Sequence, residues 1–184
     1  MKTGTQYIPT PQSLSHAALQ YLGRYAASEA SLRRVLINRL RRAAMQNQDF
    51  REDEKRQETL RQAIEQIIEK HRKSGALNDA AFAETKVNSL RRTGRSQRAI
   101  LQKLKAKGIS TTLIKEALDQ NADEKSPEEA EMTAALALLR RRKMGPFRRT
   151  PENENIRRRE LAALARAGFS LNIARRALRQ GGEE

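Results

Sequence analysis

Residues 77–120 read LNDAAFAETKVNSLRRTGRSQRAILQKLKAKGISTTLIKEALDQ. The spacing predicts three short helices joined by two tight corners. The first starts at Asn78 or Asp79, either of which can cap free backbone N–H groups. Phe82, Ala83, Val87 and Leu90 then recur at helical spacing and define one apolar face. Gly94 suits the left-handed position that ends a helix. The second helix starts at Ser96, presents Ile100, Leu101 and Leu104, and stops at Gly108. The third starts at Ser110 and presents Leu113, Ile114, Ala117 and Leu118. Helices this short do not persist alone in water, so each buries its stripe against its neighbours.

The pattern returns sixty positions on, where KAKGISTTLIKEAL becomes ARAGFSLNIARRAL. Leu101, Leu104, Gly108, Ser110, Ala117 and Leu118 meet Leu161, Leu164, Gly168, Ser170, Ala177 and Leu178. A weaker echo lies upstream, with Ser28, Leu32 and Leu36 in the places of Ser96, Ile100 and Leu104. The shared Gly-x-Ser corner favours true repeats over chance matches in an alanine-rich bundle. The expected architecture is all-α: three tandem three-helix repeats forming an elongated, curved array. Residues 1–13 read as a loose tail and 14–76 as the first repeat, with a charged insert at about 42–54. Residues 77–121 form the second repeat. Residues 122–180 form the third, with an insert at about 144–155, and 181–184 fray.

Within the first repeat, a helix over 14–26 places Leu14, Ala18, Leu19 and Leu22 inward. Ser28 caps the next helix. The segment QNQDFREDEKRQE has little to bury and reads as an exposed helical extension or a mobile loop. A further helix carries Leu60, Ile64, Ile67 and Ile68 and ends near Gly75. Downstream, Ser126, Pro127 and Glu129 make a capping-box start signal. Thr150 and Pro151 repeat that signal for the helix bearing Leu161 and Leu164.

The run LNDAAFAETKV, then Gly94, then AILQKLKAKGIS, resembles the middle repeat of RecX regulatory proteins. ALQYLGRYAASEASLRRVL looks like that family's first repeat and ELAALARAGFSLNIARRAL its third, so the resemblance spans about Leu14 to Gln180. It implies a regulator that lies in the helical groove of the RecA–DNA filament. There it would contact RecA subunits and the DNA backbone, hindering ATP hydrolysis, filament growth and strand exchange, and so regulating DNA repair and recombination. The alternative is a stand-alone nucleic-acid-binding protein of helix-turn-helix type. Against it stands the lack of one recognition helix rich in Asn, Gln and Arg with a dimerisation segment.

Charge points to the same class of partner. The chain carries 37 Lys plus Arg against 22 Asp plus Glu, a net +15. Such a balance implies a polyanionic partner. The candidate contacts for RecA or single- or double-stranded DNA are Arg33, Arg34, Arg91, Arg92, Arg95, Arg98, Lys103, Lys105, Lys107, Arg140, Arg141, Arg142, Arg148, Arg149, Arg157 and Arg158. Arginine suits phosphate because its planar fork donates two hydrogen bonds at once. Any single charge run can equally be a solvated face. Aromatics make up only 4% of residues, so backbone electrostatics rather than base stacking is the expected mode.

No P-loop, Gly-rich phosphate cradle or nucleophile elbow is present. The chain therefore reads as a non-enzyme without catalytic residues, metal or cofactor. It has no cysteine, which fits a reducing cytoplasm, and no apolar run of the roughly 20 residues a membrane span needs. A monomer is expected. Lys86 reads as a rim lysine with its stem packed. His16 and His71 read as surface residues, and Phe147 and Phe169 as packing staples at corners. Glu152 and Glu154 look like helix N-terminal charge that complements the dipole, not a catalytic pair.

Overall fold

The structure, a computed structural model, describes residues 7–122, 125–151 and 153–180. Among the described residues there are ten α-helices, one short 3-10 turn and no strand. In chain order the helices are α1 (Pro11–Leu22), α2 (Glu29–Gln46), α3 (Gln48–Glu52), α4 (Glu54–Lys73), α5 (Asp79–Arg92), α6 (Gln97–Lys105), α7 (Thr111–Ala122), α8 (Pro127–Arg142), α9 (Glu154–Arg166) and α10 (Leu171–Arg179). With α3 set aside, the order is that of repeated three-helix units. The chain divides into two compact units, residues 1–82 and 83–184.

The core of the first unit gathers Leu14 and Ala18 from α1, Leu32 and Leu36 from α2, and Ile64 and Ile68 from α4. Several local expectations change here. Helix α1 begins at Pro11 rather than Leu14, because Thr10 and Ser13 form a reciprocal capping box and Pro11 suits the first turn. Ile8 packs against the core, so residues 8–13 belong to the fold and not to a tail. The helix ends at Leu22, and Leu19 is 57% exposed. Of the two readings of QNQDFREDEKRQE the helical one holds: α2 runs on to Gln46, α3 and the start of α4 follow, and most of the segment is exposed, but Phe50 is 1% exposed. One aromatic supplies the burial that its charged neighbours lack. His71 is buried at 6% exposure, and its carbonyl accepts from the Leu77 N–H at 3.0 Å.

The two candidate caps at the start of α5 do different work. The side chain of Asn78 accepts from the Ala81 N–H at 3.0 Å and so caps α5 itself. Asp79 reaches back to accept from the N–H of Glu29, the first residue of α2, at 2.9 Å. One dipeptide thus satisfies orphan donors on two helices.

In the second unit three corners follow one recipe. Gly94, Gly108 and Gly168 sit at φ +75°, +82° and +91°. Two residues on, Ser96, Ser110 and Ser170 accept from the backbone N–H of Ala99, Leu113 and Ile173 at 3.2–3.3 Å. Between glycine and serine, Ile109 and Phe169 turn inward and are almost fully buried. Ser96 also donates to the carbonyl of Ala167 at 2.8 Å, joining the α6 start to the corner before α10. Helices α8, α9 and α10 close a core of Leu138, Leu139, Leu164, Phe169, Ile173 and Ala174. Ser126 and Glu129 form the predicted capping box on α8. Helix α9 starts later than Thr150–Pro151 suggests: Asn153 is its cap, accepting from the Ile156 N–H at 2.9 Å. An Asn side chain is a stronger cap than Thr. Glu152 lies outside the described residues.

Candidate nucleic-acid interface

The sixteen basic residues singled out from sequence separate into two groups. Arg33, Arg91 and Arg148 are the less exposed group, and each is held in an ion pair. Arg91, at the C-terminal end of α5, is 9% exposed and places Nη1 2.5 Å from Glu131 Oε1 of α8. The same carboxylate oxygen accepts from the Gln97 N–H at 2.6 Å. Arg148 donates from Nη2 to Glu160 Oε2 at 2.6 Å, with side chains 11% and 8% exposed. Arg33 makes a two-pronged pair with Glu65, both bonds 2.8 Å. That fork raises the Arg33 pKa and lowers that of Glu65. Arg91 and Arg148 therefore leave the exposed basic surface: their guanidiniums cement helices. The partners lie 40 and 12 residues away in sequence, a distance at which charge pattern alone shows nothing.

The other thirteen keep the accessibility that an interface needs. Arg34 is exposed on α2, and Arg95, Arg98, Lys103, Lys105 and Lys107 are exposed on α6 and its flanks. Arg142, Arg149, Arg157 and Arg158 are exposed as well. Arg92, Arg140 and Arg141 do more than stand in solvent, because the fold brings them together. With Thr133, Leu136 and Ala137 they line one open groove of about 610 Å³ between the end of α5 and the last turns of α8. Among the described residues no carboxylate lines it. The Arg140 guanidinium lies 4.9 Å from the centre of the Phe147 ring, which steadies it as a cation on a π face. Phe147 in turn packs on the core of α8–α10.

Three guanidiniums around an apolar floor can hold phosphate oxygens by forked hydrogen bonds. A solvated helix end would also explain part of the pattern, since Arg140–Arg142 complement the α8 dipole. Convergence with Arg92 from another helix is what that explanation lacks. Sequence reasoning left out Arg175 and Arg176 of α10, though their adjacency in LNIARRAL was a visible signal. Arg176 pairs with Glu128 at the start of α8. Among the described residues no group of three or more His, Asp or Glu is placed to hold a metal ion. No described helix is long and apolar enough to cross a membrane.

The comparisons with known proteins agree with one another. The family described as "RecX, second three-helix domain" matches residues 78–118. The "Regulatory protein RecX" of Myxococcus xanthus is 41% identical over 170 residues, covering 92% of this chain and 86% of that protein. That of Agrobacterium fabrum is 36% identical over 109 residues, covering 59% of this chain and 55% of its own. A crystal structure of RecX from Lactobacillus salivarius superposes with a TM-score of 0.63 over 93% of this chain and 96% of that one, at 19% identity. This last likeness establishes the fold; identity along nearly the whole chain establishes the kinship. With its helical corners, its order of elements and its sequence all in accord, the chain belongs to the RecX family of regulatory proteins.

Proposed function

We propose that this chain binds RecA and RecA–DNA filaments and holds down RecA's ATP hydrolysis, filament growth and strand exchange, acting as a cytoplasmic monomer. The observation that carries the reading is the 41% identity to a regulatory protein RecX over 92% of the chain. The net charge of +15 supports an anionic partner. Arg92, Arg140 and Arg141 supply a groove in which phosphate oxygens of the filament's DNA would sit. In this reading the protein transforms no substrate: it acts by occupying surface that the filament needs. Contacts to the DNA are to the backbone, so affinity falls steeply with salt and varies little with sequence.

The deciding experiment is RecA ATPase on single-stranded DNA with the protein titrated in. Turnover should fall as the protein approaches saturation. Unchanged turnover at molar excess, with binding shown in the same sample, overturns the reading. Pull-down from nuclease-treated extract adds a second check: RecA should persist, whereas a pure nucleic-acid binder loses its partners.

A further inference from the structure

Among the described residues, all the lining of the Arg92–Arg140–Arg141 groove comes from α8 except Arg92. The spacing of its three guanidiniums therefore depends on how the end of α5 is seated on α8. That end is a closed corner. The Gly94 N–H donates to the Arg91 carbonyl at 2.9 Å, and the Arg95 N–H donates to that of Leu90 at 3.0 Å. These are the paired bonds of a Schellman stop, and they fix the backbone on which Arg92 stands.

Two contacts seat the corner on α8. Arg91 Nη1 meets Glu131 Oε1 at 2.5 Å. Gly94 lies so near Leu138 that a Cβ there would stand 2.5 Å from the Leu138 backbone nitrogen. Glu131 and Leu138 lie about 10 Å apart along one face of α8, at 1.5 Å per residue. Seats that far apart fix the tilt of the corner as well as its position. On the other side of the groove, Arg140 is steadied over the Phe147 ring. Arg91 is 9% exposed and is not itself placed to meet a ligand. Glu131 is taken up by Arg91 and by the Gln97 N–H.

We propose that Glu131 is a positioning residue for this groove: a carboxylate that raises affinity for a polyanion. Through Arg91 it holds Arg92 at the spacing from Arg140 and Arg141 at which all three engage one phosphate backbone. This role rests on reading the groove as a seat for phosphate oxygens. Charge alone predicts the opposite sign. Deleting a negative group from a protein of net +15 should tighten its hold on a polyanion.

The test uses the full chain without RecA, titrated into a labelled oligothymidylate and followed by fluorescence anisotropy at several salt concentrations. Glu131→Gln removes the charge and keeps a side-chain oxygen. Glu131→Asp keeps the charge and shortens the reach by a methylene. Both should weaken binding by about fivefold or more, the net worth of one hydrogen bond. The slope of log affinity against log salt should flatten by about 0.7, one phosphate contact on a single strand. In an Arg92→Gln background both effects should vanish, because residues that act through one another are not additive. In an Arg98→Gln background they should persist in full. A residue that only stabilises the fold would act alike in the two backgrounds. Binding is read well below each variant's circular dichroism melt, and if the Gln variant does not fold, the Asp variant decides. Affinity that is unchanged or raised overturns the proposal, as does a loss that survives in the Arg92→Gln background. Arg92→Gln alone reads the groove itself. Full affinity there, or a wild type that does not bind, removes the groove as a phosphate seat and the role of Glu131 with it. A loss on Arg92→Gln with none on the Glu131 variants removes only the positioning role. Because RecA is absent, the outcome is independent of the ATPase test.

Discussion

Arg91 and Glu131 meet at 2.5 Å with side chains only 9% and 17% exposed, and the Glu131 oxygen that takes the guanidinium also takes the Gln97 N–H. One carboxylate therefore ties the end of α5, the start of α6 and the body of α8. Removing it strands a buried cation and an orphan helix N–H together. Glu131→Ala should cost about 3–5 kcal/mol, the usual penalty for breaking a buried pair from one side. Replacing both partners, Arg91→Met with Glu131→Leu, should recover most of that loss. Urea melts of the three proteins check this; equal destabilisation by the single and double changes would refute the pairing account.

Gly75 and Gly94 have nearly the same backbone, φ +74° and +75°, in different surroundings. A Cβ on Gly75 meets nothing within 4 Å, whereas one on Gly94 would lie 2.5 Å from the Leu138 backbone nitrogen. Gly75→Ala should cost about 1–2 kcal/mol from left-handed strain alone. Gly94→Ala should add roughly another 1–3 kcal/mol of overpacking, since backbone cannot step aside as a side chain can. Thermal melts of the two variants would compare them directly, and equal costs would show that the close approach of α8 to this corner is not rigid.

The corners were legible in the sequence because each is a local event. A glycine two residues before a serine specifies a left-handed stop and a capped start without reference to the rest of the chain. The fate of the charges was not local. Arg91 and Arg92 are adjacent and alike in sequence, yet one is buried on Glu131 and the other lines a groove. Only the position of α8 decides between them. Phe50 was hidden for a related reason: a lone aromatic among charges has no periodicity, and its burial depends on α2 and α4 closing around it. His71 is a different case: it stands four residues after Ile67 and three after Ile68, so the stripe of α4 marked it as interior and only its polar ring suggested the surface.

Two carboxylates should shape the acid limb of stability. The backbone N–H and then the hydroxyl of Ser126 hold Glu129 below its ordinary value of 4.5. Arg33 does the same for Glu65. A carboxylate depressed in the fold adds stability above its unfolded pKa, and the gain disappears as pH falls through the folded value. Stability should therefore decline below about pH 4.3. Glu129→Gln with Glu65→Gln should flatten that decline while α8 stays capped, since glutamine can serve in a capping box. The effect is small because both sites are open to solvent. Melting temperature against pH for both proteins would show it, and superimposable acid limbs would count against the assignment.

The proposed inhibition of RecA should map to one of two basic surfaces. Helix α6 and its flanks expose Arg95, Arg98, Lys103, Lys105 and Lys107, while Arg92, Arg140 and Arg141 form a groove. Arg98 and Lys105 lie off the buried Ile100–Leu104 stripe, so reversing both to Glu should leave the melt unchanged. It should sharply reduce inhibition of RecA ATPase, because attraction to an anionic filament becomes repulsion. Arg92→Glu with Arg140→Glu should do the same and also flatten the salt dependence of DNA binding, by about 0.7 to 0.9 per lost phosphate contact. Leu104→Ala is the structural control. Its side chain is 2% exposed, and its loss should cost about 2–5 kcal/mol through the cavity left behind. Inhibition should then fall only as the protein unfolds. Melts beside ATPase titrations separate the cases: a double Glu variant on α6 that melts normally and inhibits like wild type moves the contact to the Arg92–Arg140 groove. If both double variants inhibit normally, neither surface touches the filament.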